Sequence, residues 1–126
     1  MRKSNTVRVC LYVRCGTERR AACDCVGSQI ARGWFWCASQ GFTLAKIVVE
    51  DGVGPEAFNR PRFNCMLTQA HRLPGPFDII LVDSPERFSR CPSKLRYSAK
   101  LLSRAHVRLA AVSGSFPNGE EGHFWK

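Results

Sequence analysis

The sequence predicts an α/β domain with a mostly parallel sheet. Three observations predict it. Short, continuous apolar runs rich in β-branched residues recur along the chain, as strands buried on both faces require. Segments with apolar residues at helical spacing separate these runs. The alternation of strand and helix is strict, without internal repeat or low-complexity tract, and continuous strands joined by helices imply a parallel sheet covered on both sides by right-handed crossovers. A length of 126 residues favours one domain.

The elements follow in order. "VRVCLYV", residues 7–13, reads as a buried strand, and residues 14–26 are polar and irregular. From about Ser28 to Gln40 the residues Ile30, Trp34, Cys37 and Ala38 recur at helical spacing, although Gly33 and the run Trp34-Phe35-Trp36 are poor helix formers. Gly41 suits a C-terminal cap. "FTLAKIVVE" makes a second strand, and "DGVGPEAFN", rich in Gly and Pro, makes a loop. Pro61 fits the first turn of a helix that runs to about Arg72, with Phe63, Met66, Leu67 and Ala70 on its inner face. "LPGP" breaks that helix, and residues 77–82 form the third strand. "PSKLRYSAKLLSRA" is a helix with Leu95, Ala99 and Leu102 facing inward, and "VRLAAV" is the fourth strand. Beyond Gly114 the chain has no period and is expected to be a loose tail.

The composition, 44% hydrophobic and 23% charged, excludes wholesale disorder. A formal net charge of +9 points to a polyanionic partner, nucleic acid ahead of an acidic membrane surface. No apolar run reaches the roughly 18 residues of a membrane span. The basic N-terminus, with Arg8 and Arg14 interrupting its apolar part, is not a signal peptide. Seven cysteines, an odd number, argue against a complete disulfide framework and fit a reducing cytoplasm. Cys10, Cys37 and Cys65 sit in apolar segments as expected buried thiols. Cys23 and Cys25 form the only close pair, and His71, His106 and His123 are scattered, so no metal site and no cofactor is expected.

In parallel sheets ligands bind outside the carboxyl ends of the strands. The first strand ends in Arg14-Cys15-Gly16-Thr17, the second leads through Glu50-Asp51 to Asn59-Arg60, and the third leads to Glu86-Arg87 and Arg90. Arginines from three separate parts of the chain therefore converge on one edge. Guanidinium forks match phosphate oxygens and stabilise charge on a phosphoryl group. The plain alternative is a surface ion-pair network with Asp51 and Glu86.

These residues carry a resemblance. "YVRCGTE" resembles the tyrosine-x-arginine-x-serine-threonine segment of the serine recombinases, the resolvases, DNA invertases and serine integrases. Gln29-Ile30 and then Gln40-Gly41-Phe42 resemble their first helix and its end. Asn59-Arg60-Pro61 resembles the aspartate-arginine-proline that begins their second helix. Glu86-Arg87-Phe88-Ser89-Arg90 resembles their aspartate-arginine-leucine-serine-arginine, and "VRLAAVSG" the strand after the next helix. The match spans about Val7 to Gly114 in order. It implies a three-layer, resolvase-like (flavodoxin-like) domain with a four- to five-stranded sheet of order 2-1-3-4. It also implies DNA cleavage and strand exchange through a phosphoseryl link, with oligomerisation in the full-length protein. Arg14, Arg60, Arg87 and Arg90 then match the family's phosphate-binding arginines. Gln29, Thr17 and Glu86 match supporting positions, Glu86 standing where the family has aspartate.

The departure is at the nucleophile, whose position is Gly16. Without a side chain it cannot form the covalent link. Thr17 lies one residue too far on, and Cys15 one residue early, where strand alternation points it to the opposite face. The acid and glutamine usual after the serine are Arg19 and Arg20 here. Three readings stay open: a degenerate recombinase, a glycine introduced to trap an inactive form, or a scaffold that binds DNA or another recombinase without cutting. A small phospho-ligand binder ranks behind them, because "RCGTERR" has a single glycine. The family's long dimerisation helix and DNA-binding domain do not fit within "SFPNGEEGHFWK". The expected organisation is a domain over residues 1–114 and a tail over 115–126. The expected partner is the DNA phosphate backbone, with no membrane.

Overall fold

The computed structural model describes residues 6–15, 26–51, 60–72 and 74–114. The tail beyond Gly114 and the segment holding Gly16 and Thr17 lie outside these residues. The described elements are β1 (Arg8–Cys15), α1 (Val26–Gln40), β2 (Thr43–Asp51), α2 (Pro61–Ala70), β3 (Ile79–Val82), α3 (Pro85–Phe88), α4 (Pro92–Arg104) and β4 (Arg108–Ala111). They form a four-stranded sheet of order β2-β1-β3-β4, and every described pairing is parallel. The order 2-1-3-4 expected from the sequence is the one found.

The central strands have no polar face. From Val9 to Cys15 every residue of β1 is buried, and so is all of β3. Alternation divides them between two cores. Cys10, Tyr12, Ile80 and Val82 pack with Phe63, Met66, Ala70, Phe88, Leu95, Ala99 and Leu102 of α2, α3 and α4. Val9, Leu11, Val13, Cys15, Ile79 and Leu81 pack with Cys37 and the half-buried Val26, Ile30 and Trp36 of α1. The sheet is thus sandwiched between helices on both sides. At the β2 edge the register slips by one residue between Val9 and Cys10, which pair with Leu44 and Lys46 and leave Ala45 as the extra residue.

Two helix ends set the strands that follow. Gly41 has φ +79°, Phe42 N–H donates to Cys37 O at 2.9 Å and Gly41 N–H to Ala38 O at 3.2 Å. His106 closes α4 identically, with φ +64°, Val107 N–H donating to Leu102 O and His106 N–H to Ser103 O. Both are left-handed caps with paired bonds to the last turn. Gly33 serves a different need. A Cβ there would lie 2.7 Å from a methyl of Leu11, so only glycine lets α1 approach β1 this closely.

Three expectations are corrected. Ile30, Trp34, Cys37 and Ala38 recur at helical spacing, which would put them on one face, yet Trp34 is 62% exposed and Ala38 is exposed as well. Gly33 and Cys37 occupy the buried stripe instead, and the Gly33 approach leaves no room for a bulky ring alongside. Cys65 is exposed, because Phe63, Met66 and Ala70 already fill the inner face of α2. The third strand starts at Ile79 rather than Phe77, whose ring is buried ahead of it.

Candidate phosphate site at the carboxyl edge

Arg14, the seventh residue of β1, lies on the face occupied by Tyr12 and is 2% exposed. A guanidinium taken that far from water needs its donors satisfied. Its Nε donates to Arg87 O at 3.0 Å and its Nη2 to Glu86 O at 2.6 Å. In return Arg87 Nη1 donates to Arg14 O at 3.1 Å. The turn of α3 is therefore stitched to the end of β1 through side chain and backbone in both directions. Glu86 meets Arg14 through its carbonyl oxygen. Its exposed carboxylate is held below the usual range first by the Ser84 hydroxyl and its own N–H, with the Arg87 and Arg90 charges assisting.

The arginines act on one another. Burial, then the Arg87 charge, with Arg60 and Arg90 adding less, push the Arg14 guanidinium down to about 10, and Tyr12 opposes them. Of the four arginines named from the sequence, Arg14 and Arg87 are in direct contact, and the charges of Arg60 and Arg90 also act on Arg14. Arg60 stands at the N-terminus of α2, its guanidinium carbon 3.9 Å from the centroid of the Phe63 ring. Its Nη1 is buried with no acceptor among the described residues. Arg87 is half-buried and Arg90 exposed.

Gln29 is fully buried on α1 and donates from Nε2 to Arg14 O at 3.3 Å and to Cys15 Sγ at 3.2 Å. It reaches the end of β1 from the other side of the sheet. Cys15 belongs to the α1-side core, on the face opposite Arg14, as alternation requires.

Two residues of this region have roles that the sequence reading did not assign. Glu50, 3% exposed at the end of β2, accepts hydrogen bonds from Tyr12 Oη at 3.0 Å and from the N–H groups of Arg62 and Phe63, each at 3.0 Å. It supplies the N-terminal cap that Arg60 cannot, and a carboxylate also suits the positive end of a helix. Burial, opposed by the Arg60 charge and aided by Glu50, raises the Tyr12 phenol to about 12 and keeps it a donor. The available signal was an acid at the end of the Lys46–Val48–Glu50 face of an apolar strand. Asp83, also buried, takes a bidentate pair from Arg32, Nε to Oδ1 at 2.7 Å and Nη2 to Oδ2 at 2.9 Å, which ties α1 to the end of β3. Among the described residues no group of His, Cys, Asp and Glu could hold a metal ion, and no helix is long and apolar enough to cross a membrane.

Chemically, the edge offers two guanidinium groups held by backbone carbonyls, those of Arg14 and Arg87, with a buried N–H of Arg60 lacking an acceptor among the described residues. Such an arrangement suits a tetrahedral oxyanion. Solved structures share the architecture. The N-terminal catalytic domain of TP901-1 integrase superposes with a TM-score of 0.70 at 18% identity, over 83% of this chain and 76% of that one. The C-terminal catalytic domain of ISC1926 TnpA, an IS607-like serine recombinase, gives 0.72 at 16%, over 86% and 72%. A resolvase family site-specific recombinase from Streptococcus pneumoniae gives 0.72 at 18%, over 85% and 72%. No curated protein matches the sequence. The model of the family described as "Resolvase, N terminal domain" matches residues 9–123, nearly the whole chain, and the chain belongs to that family.

Proposed function

We propose that this domain is a serine-recombinase catalytic domain that grips a DNA phosphodiester without cutting it. Arg14, Arg87 and Arg90 take the phosphate oxygens, Arg60 adds its buried Nη1, and Gln29 and Glu86 hold the ends of β1 and α3 in place. The observation that carries the reading is the reciprocal bonding of Arg14 and Arg87, which fixes two guanidinium groups beside the strand end that precedes Gly16. Cleavage and strand exchange belong to the reaction of active family members. They need a hydroxyl that becomes a phosphodiester's new ester oxygen, and position 16 offers hydrogen alone. Cys15 does not replace it, being packed on the far face.

The test has two arms. Incubation with nicked and supercoiled DNA, followed by a denaturing gel, is expected to show no covalent adduct. A stable adduct overturns the inactive reading, and its loss in Thr17→Ala or Cys15→Ala then names the nucleophile. Titration against unrelated duplexes is expected to show weak binding that fades with salt and ignores sequence, because phosphate contacts carry no sequence information. A marked preference for one duplex overturns that part.

A second reading, a module that pairs with an active recombinase rather than working alone, is favoured by Trp34 and Phe35, which are 62% and 74% exposed side by side on α1. Co-elution of this chain with an active family member, lost in Trp34→Ser/Phe35→Ser, supports it.

A further inference from the structure

Helix α4 carries four cations that its own fold does not require. Its 13 residues include Lys94, Arg96, Lys100 and Arg104 and no acid. Lys94 lies in the first turn, where the helix dipole favours anions. Arg96, Lys100 and Arg104 are spaced four apart, so they share one exposed row in which like charges repel. None of these four cations is paired with a carboxylate among the described residues. Four acids among the described residues are committed elsewhere. Glu50 caps α2, Asp78 holds Arg8, Asp83 holds Arg32, and Glu86 bonds at the start of α3. On the opposite side of the sheet α1 has a single charged residue, Arg32, and it is paired. The outer face of α4 thus carries cations without a carboxylate partner among the described residues, and only Arg104, in the last turn, gains from the helix dipole.

The placement has a direction. Arg90 stands two residues before Pro92, the first residue of α4, so the helix starts at the arginine cluster. The row from Arg96 to Arg104 then spans about 12 Å at 1.5 Å per residue. Tyr97, 66% exposed, sits beside it. We propose that the outer face of α4 is a track for the backbone of duplex DNA that continues beyond the phosphate held at the strand ends. Arg96, Lys100 and Arg104 take successive phosphates and Tyr97 offers its hydroxyl. This rests on reading the carboxyl edge as a phosphate site, and it extends the contact to a surface that a single phosphate would never touch.

The test compares this chain, the triple variant Arg96→Gln/Lys100→Gln/Arg104→Gln and the variant Arg87→Ala by fluorescence anisotropy on a duplex of about 30 base pairs between 50 and 200 mM salt. The triple variant is expected to bind at least about tenfold more weakly at 50 mM, with the slope of log affinity against log salt reduced by about 2 to 3, near 0.9 per lost phosphate contact. Its melting temperature is expected to stay the same or rise. Should the triple variant fold poorly, Lys100→Gln alone is expected to reduce the slope by about 0.9. An unchanged slope and affinity in the triple variant, with binding about tenfold weaker in Arg87→Ala, overturns the track and leaves the phosphate site standing. No binding by the unaltered chain overturns both. Loss of binding to phosphatidylserine vesicles in the triple variant, with the DNA slope unchanged, assigns the row to a membrane surface and overturns the track.

Discussion

Arg14 and Arg87 hold each other by their backbones: each guanidinium donates to the other's carbonyl oxygen, at 3.0 and 3.1 Å. The consequence is that neither side chain is free to wander when the site is empty. A side chain already fixed in this way loses less freedom when an anion arrives, which lowers the ordering cost of binding. Arg87→Ala is expected to weaken DNA binding about tenfold, the loss of one charge-assisted hydrogen bond, and to destabilise the fold by about 1 kcal/mol. Arg87→Lys is expected to rescue little, since an ammonium cannot bond a carbonyl and a phosphate in one plane. Equal binding by wild-type and Lys variants would count against the fork.

Glu50 is the second test. Replacing it by Ala leaves the Tyr12 hydroxyl and two N–H groups of α2 without their acceptor in a buried place. A loss of about 2–4 kcal/mol is expected in urea unfolding. Glu50→Gln can keep Oε1, which accepts from both Tyr12 Oη and Phe63 N–H, and loses the acceptor of Arg62 N–H, so it is expected to cost roughly half as much. A loss below about 0.5 kcal/mol for Glu50→Ala would show that α2 does not depend on this cap.

Gly33 reverses an ordinary rule. In a solvent-exposed helix Gly→Ala gains about 1 kcal/mol. Here the new Cβ would meet the Leu11 methyls at 2.7 and 2.8 Å, and Leu11 is fully buried and cannot swing away. Gly33→Ala is expected to lower stability by about 1–3 kcal/mol, and Leu11→Val is expected to relieve part of that loss in the double variant. Additive effects of the two changes would refute the contact.

Alkaline pH probes the core. Burial raises the Cys10 thiol from 9.0 to about 12, with Lys46 opposing weakly. Above pH 9 the unfolded chain ionises this thiol while the folded one keeps its proton. The stability it contributes is therefore complete below pH 9 and drains away as pH rises toward 12, by up to about 1.4 kcal/mol per pH unit. Cys37, raised by burial as well, adds to the loss in the same direction. Arg14 works oppositely from about pH 10 upward, since its folded pKa is depressed. Between pH 9 and 10 the decline is thus set by the thiols, and Cys10→Val is expected to flatten it in chemical denaturation at stepped pH. An unaltered decline would place the titrating group elsewhere.

The sequence was most legible where one residue's neighbours are local. Strand runs, helix stripes and the Gly41 cap all followed from periodicity and backbone chemistry, and sheet order followed from the family resemblance. It was less legible where a role depends on distant chain. Glu50 looks like any strand end until α2 is known to begin beside it, and Arg14 looks like a surface cation until the carbonyls of Glu86 and Arg87 are seen to enclose it. The four-residue α3 was missed because a single turn has no period to detect. Trp34 misled because hydrophobicity was taken for burial, whereas the close approach at Gly33 decides which side of α1 faces the sheet.

The caps at Gly41 and His106 have a bearing on how this domain can change over evolutionary time. Each helix passes into its next strand within a few residues, so the cap also fixes which side chains of β2 and β4 point to which core. One inserted residue at either place would send every following side chain to the wrong side. Length changes are therefore opposed at the α1–β2 and α4–β4 turns. The two turns thereby act as phase markers, keeping β2 and β4 in step with the β1 and β3 ends that hold Arg14 and Arg87.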